Sequence, residues 1–301
     1  MRRALAMALA WALLWAPLAA SARVVTDEMG RTVRVPERPQ RLIGLTPSLT
    51  ELLFALGLGD KIVGATTWAD YPEAARRLPR VGAYVAPNLE RIVSLAPDLV
   101  LANREGNPPW SVNKLAALGI PVYVTVPSDP GRLPAGLERL GDICGAPVAG
   151  RRLAQKMRAQ FAEVARRLQG APPRPTLLVI GSRPLVAVGP NNMNHRLLEL
   201  AGGRNVAAST SQRWPRLNLE YVIAAKPQVI IISTMDRGQD LERELAYWRG
   251  LPGVGDRPGV RVEWVSSDLI DRPGPRLGQG LEDLARAIHP ERFGPPAGAR
   301  P

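Results

Sequence analysis

Five aromatic side chains, Trp68, Tyr71, Tyr84, Trp110 and Trp214, fall outside the apolar periodic runs of this 301-residue chain, beside Pro, Asp or Asn. Aromatic residues are few, with 7 Trp, 5 Tyr and 3 Phe, so rings placed in loops are informative. Loop rings facing one cleft suit a large flat ligand with apolar faces; for Tyr71 and Trp110, covering the core is the other reading. Asp268 and Arg272 follow the strand ending at Val265 and lie four residues apart. They can hydrogen-bond amides or acids on a ligand's rim, or simply pair with each other at the surface. Other chemistries lack their parts. His195 and His289 show no HxxE or HxxxH spacing and there is 1 Cys, so no metal ligand set is composed and no metal is expected. His195 reads as a capping or surface residue. There is no GxSxG elbow, P-loop or strand-coupled GxGxxG, which leaves nucleophilic and phosphate chemistry without a scaffold. Glu90 and Glu220 could be imagined as an acid–base pair, but both open a helix, where a carboxylate offsets the helix dipole.

Short apolar strands alternating with amphipathic helices must position these groups. Val24-Val25 and Thr32 to Val35 flank Asp27 to Gly30 as an opening hairpin. Leu42 to Leu45 is a buried strand, and Ser48-Leu49-Thr50-Glu51 is a capping-box pattern for a helix that Gly57 ends. Strands follow at Ile62 to Ala65, Asp98 to Ala102 and Val122 to Val126, with helices from Asn88, Val112 and Leu133. Residues 66–84 form a loop. The second half repeats the scheme, with strands at Thr176 to Ile180, Val229 to Ile232 and Val260 to Val265. Its helices lie at Asn194 to Leu200, from Leu219, near Leu241 to Trp248 and at Arg276 to Ile288. Alternation of this kind implies parallel βα sheets, with ligands at the strand ends.

Between the halves, Leu153, Met157, Phe161, Val164 and Leu168 lay one apolar stripe along a helix, with arginines on its other faces. Pro147 opens that helix, and Gly170, Pro172 and Pro173 stop it. Its length is roughly 33 Å at 1.5 Å per residue. Asn88-Leu89-Glu90 through Pro97 and its apolar successors recur at Asn218-Leu219-Glu220 through Pro227, 130 residues on. A repeat so widely spaced fits two copies of one lobe, with the helix as the strut between them. The expected organisation is a lobe at residues 23–146, a helix at 147–169, a lobe at 170–292 and a loose tail at 293–301.

Residues 1–22 have the charged start, apolar run and Ala20-Ser21-Ala22 site of a cleaved secretory signal, which places the mature protein in the periplasm. The single Cys144 excludes an internal disulfide and reads as a buried, inert thiol. Loss of Arg2 and Arg3 with the signal takes the 39 basic residues to 37 against 27 acidic ones. The excess is scattered arginine with no basic block, so nucleic acid is not the expected partner.

With these residues in place, the chain resembles the periplasmic binding proteins of ABC importers for vitamin B12, ferric siderophores and haem. The stretches that carry the resemblance are Asp70-Tyr71-Pro72, Asn88 to Ile92, Pro97 to Val100, Leu118 to Val122, Trp214-Pro215 and Ser267 to Arg272. Trp214-Pro215 and the Asp268/Arg272 pair look most like the cobalamin branch. The resemblance implies an α/β protein of two lobes joined by one long rigid helix, a ligand cleft between the lobes, and a monomer without cofactor or catalytic activity. It implies that Trp68, Tyr84 and Trp214 are pocket aromatics, and that Asp268 and Arg272 are polar pocket residues. It implies that Glu90 and Glu220 engage arginines on the permease dimer. Asn103 stands at a pocket position where the cobalamin binders have Trp, and Val186 near one where they have Phe. The expected ligand is therefore cobalamin or another corrinoid, with a ferric siderophore or haem as the alternative. An exported α/β enzyme is the remote one.

Overall fold

The computed structural model describes residues 22–233 and 240–294. Residues 1–21 of the expected signal and residues 295–301 of the expected tail lie outside the described residues. Strands β1 (Ala22–Thr26) and β2 (Thr32–Pro36) form the expected antiparallel hairpin. Its turn is fixed by buried Asp27, which accepts from the Met29 and Arg31 amides at 2.9 Å and from the Arg31 guanidinium at 2.7 Å. The chain then builds β3 (Leu42–Gly44), α1 (Pro47–Ala55), β4 (Ile62–Ala65) and a small hairpin, β5 (Gly82–Ala83) with β6 (Ala86–Pro87). After these come α2 (Leu89–Ser94), β7 (Leu99–Asn103), α3 (Pro109–Ala117), β8 (Val122–Thr125) and α4 (Leu133–Ile143). The four main strands form an all-parallel sheet in the order β4-β3-β7-β8. Leu42, Ile43 and Leu99 to Ala102 are fully buried, as continuous apolar runs in a two-sided parallel sheet should be.

The strut is α5 (Pro147–Arg167), and Gly170 turns out of it at φ 76°. Its fully buried positions are Ala154, Met157 and Val164, whereas Leu153, Phe161 and Leu168 are only partly covered. Helix α4 packs so tightly on α5 that a Cβ on Gly141 would meet the Gly150 Cα at 2.6 Å, which reserves both positions for glycine. The second lobe contains β9 (Arg174–Ser182), β10 (Leu185–Ala187), α6 (Met193–Leu200), β11 (Gly203–Asn205), α7 (Leu219–Ala225) and β12 (Val229–Ile232). It ends in α8 (Leu241–Arg249), β13 (Arg261–Trp264), α9 (Ser267–Ile270), α10 (Leu277–Ile288) and α11 (Pro290–Phe293). Its sheet runs β10-β9-β12-β13; β11 also pairs with β9, and β10 is the antiparallel member. One apolar cluster passes without a break from Leu42 and Leu53 through Met157 to Leu281 and Ile288, so the lobes share a core along the strut.

Several expectations change at the level of single residues. Helix α1 is capped two residues earlier than the capping-box pattern suggests. Thr46 is the cap, accepting from the Leu49 amide at 3.3 Å, and Pro47 fills the first helical position. Trp110 lies in the first turn of α3 rather than in a loop. Residues 73–77 of the expected loop form a short 3-10 helix. Phe293, expected at the start of a loose tail, is buried, with the Arg167 guanidinium 5.3 Å from its ring centroid. Among the described residues no helix is long and apolar enough to cross a membrane.

Candidate ligand site

The C-terminal ends of β3, β4 and β7 in one lobe face a short segment, α9 and the turn after it, in the other. Three contacts hold them together. Arg276, just before α10, makes a two-pronged bond to Glu51 of α1, with both N–O distances 2.8 Å. The same guanidinium lies 3.8 Å from the centroid of the Tyr71 ring. Arg272 bonds Asp70 at 3.1 Å across the junction and Asp268 of α9, four residues before it, at 2.8 Å. The surface pair considered for Asp268 and Arg272 is thus part of a larger array, in which the Arg272 side chain is only 15% exposed. Glu51 is 5% exposed, so its charge depends on Arg276 for compensation. Burial opposes the charge on Arg276, but the Glu51 hydrogen bonds and carboxylate outweigh it and leave the guanidinium pKa raised.

Tyr71 belongs to this array, and Trp68, Tyr84 and Trp214 stand on turns of the two lobes. Trp68 sits in the turn after β4 and is 52% exposed; Tyr71 and Trp214 are 46% and 44% exposed. Tyr84 occupies the tight turn between β5 and β6, partly buried. Asn107 anchors that turn by donating to the Tyr84 carbonyl at 2.9 Å and to the Leu45 carbonyl at 2.8 Å. The loop that carries Asn107 reaches the other lobe, where Glu105 pairs with Arg213 at 3.1 Å. Trp214 follows Arg213 directly, and Asn192 fixes this stretch by donating to the Arg213 carbonyl at 2.9 Å. Exposed rings on loops tied across a lobe junction offer flat apolar surface without a core to cover.

Asn103, at the end of β7, is placed differently from the rings. It is 6% exposed, and its side-chain oxygen accepts from the Glu105 amide at 2.8 Å. It lines a cavity of about 330 Å³ with Ser48, Tyr123, Thr125 and, from the other lobe, Pro273 and Gly274. Val186 lies in β10, paired with Gly181. Glu90 and Glu220 are exposed in the first turns of α2 and α7, each beside its Asn cap. His195 is not the cap and is only partly exposed: its amide is capped by Asn192, and its ring lies against Asn205 at 3.1 Å and Glu199 at 3.4 Å. Among the described residues no three His, Cys, Asp or Glu side chains are grouped to hold a metal. Burial pushes the Cys144 thiol up to about 12, which suits an inert core residue. Sequence reasoning missed the roles of Glu51, Asp70 and Arg276. The one local signal was Asp70-Tyr71-Pro72, which marked the loop but not its partners.

Comparison with known proteins agrees with this architecture. The chain is 33% identical over 254 residues to the vitamin B12-binding protein of Photorhabdus laumondii subsp. laumondii, covering 83% of this chain and 88% of that one. The periplasmic vitamin B12-binding protein of Vibrio cholerae superposes with a TM-score of 0.74 at 26% identity, covering 84% of this chain and 98% of that one. A periplasmic haem-binding protein from a Roseiflexus species, in its apo form, superposes with a TM-score of 0.73 at 28% identity, covering 84% and 99%. Residues 42–252, from the first core strand through α8, match the periplasmic binding protein family as a whole. That match spans more than half of the chain, and this chain belongs to the periplasmic binding protein family.

Proposed function

We propose that this protein is exported by cleavage of residues 1–22, captures cobalamin or a related corrinoid between its lobes as a monomer, and delivers it to an ABC importer. It acts by binding and release, not by turnover. Trp68, Tyr84 and Trp214 take the faces and edges of the ligand, and Asp268 and Arg272 take polar groups on its rim. The observation that carries this reading is the set of exposed rings, Trp68, Tyr71 and Trp214, on loops that the Arg272–Asp70 and Arg213–Glu105 pairs tie across the junction. Relatives named for vitamin B12 binding support it at 33–34% identity. A haem or ferric siderophore ligand is the second reading. It is favoured by Asn103, whose side-chain oxygen is taken by its own loop and which adds no ring, and by haem-binding proteins of comparable structural likeness. Titration of the purified protein separates the two by visible absorption. A corrinoid should bind with a shifted spectrum at equimolar ratio, and ferric siderophore and haem should leave their spectra unchanged. A saturating shift with haem and none with corrinoid would replace the first reading by the second.

Glu90 and Glu220 form the contact with the permease dimer. Each is exposed, and each occupies the same place in one of two equivalent lobes, so two like charges meet one partner surface. Contacts of this kind fix orientation and speed encounter, with a marked salt dependence.

A further inference from the structure

The 130-residue repeat in sequence is also a repeat of backbone and burial. Asn88 and Asn218 accept from the amide three residues on, at 2.9 Å in both lobes. Ile92 and Val222 are both fully buried. Ala96 and Lys226 both take left-handed backbone, at φ 44° and 47°, just before Pro97 and Pro227 and the central strands β7 and β12. Against this shared register of caps and core positions, one apolar position stays outside in both lobes. Val93 and Ile223 are each 43% exposed, one helical turn after Glu90 and Glu220. Residues three apart on a helix are neighbours, so each lobe presents a carboxylate beside a branched aliphatic side chain. A lone exposed aliphatic residue needs no explanation. The same two-residue patch at the same register of both lobes does, because the repeat buries the residue before it each time.

We infer that Glu90 with Val93, and Glu220 with Ile223, are two equivalent halves of one docking surface. Each half fits an apolar recess rimmed by a cationic side chain on one subunit of a two-fold symmetric membrane partner. The inference rests on the permease reading above and adds the apolar half of the contact. Charge complementarity selects the rim: a carboxylate on each patch asks for a guanidinium or ammonium group. The internal repeat selects the symmetry, since two like patches are matched by two like sockets on identical subunits. An exposed ion pair steers encounter but holds weakly, whereas burying the aliphatic side chain beside it slows dissociation.

Binding to a vitamin B12 ABC permease dimer reconstituted in nanodiscs tests this, with two double variants compared at low and high salt. Val93→Ser with Ile223→Ser should keep melting temperature, ligand affinity and salt dependence, while dissociation from the permease becomes about tenfold faster. Glu90→Gln with Glu220→Gln should instead slow association and flatten its salt dependence. Wild-type dissociation of the serine variant, with docking impaired in the glutamine variant, overturns the apolar contact and leaves the charged one standing. Unaltered permease binding by both variants overturns the permease reading as well.

Discussion

Asp271 lies between Asp268 and Arg272 and carries a consequence for stability. One of its carboxylate oxygens is buried without a hydrogen-bond partner, and Asn194 donates to the other. Burial pushes its pKa up from 3.8 to about 7, more than the Asn194 bond and Arg272 pull it down. Between those two values the folded protein keeps a proton that the unfolded chain has released. The folded state is therefore favoured less and less as pH rises through that window, and the loss levels off above it. Asp271→Asn keeps the acceptor for Asn194 and removes the charge. Its melting temperature should match the wild type at about pH 4 and exceed it at about pH 8, by on the order of 4 kcal/mol in stability. Parallel curves for the two proteins across that range, in a thermal melt, would show that Asp271 is not held protonated.

At the scale of elements, the junction is held by groups far apart in the chain. Arg276 meets Glu51 across 225 residues, and Arg272 meets Asp70 across 202. Glu51→Gln removes the charge that compensates Arg276 and should cost about 3 kcal/mol by thermal or urea unfolding. A loss below about 1 kcal/mol would mean that the pair behaves as a surface contact. This explains why the junction was the least legible part of the molecule. Periodicity exposes which face of α5 is apolar and where β7 and β12 run, because those depend on neighbours in sequence. The Ser48–Glu51 spacing mimics a capping box, but Pro47 moved the helix start back and freed Glu51 for a partner that no local pattern names. The exposed positions of Trp68 and Trp214 were legible because a ring beside Pro, Asp or Asn has no periodic core to join. The turn that takes up the Asn103 amide depends on Glu105 and Asn107 folding back onto it, which composition does not announce.

At the scale of the whole molecule, one apolar core runs through both lobes and the connecting helix, and ion pairs close the junction from the other side. In the reading proposed above, such a body presents its rings to a flat ligand as surfaces already in place. Calorimetric titration with vitamin B12 of the wild type, Trp68→Ala and Trp214→Ala, with the melting temperature of each, tests that account most directly. The account predicts one saturable site per chain. Each single variant should bind about tenfold more weakly, from a ring contact of about 0.5–1.5 kcal/mol and the apolar area lost with it, with melting temperature unchanged. Wild-type affinity in both variants, or no saturable binding by the wild type, would contradict it.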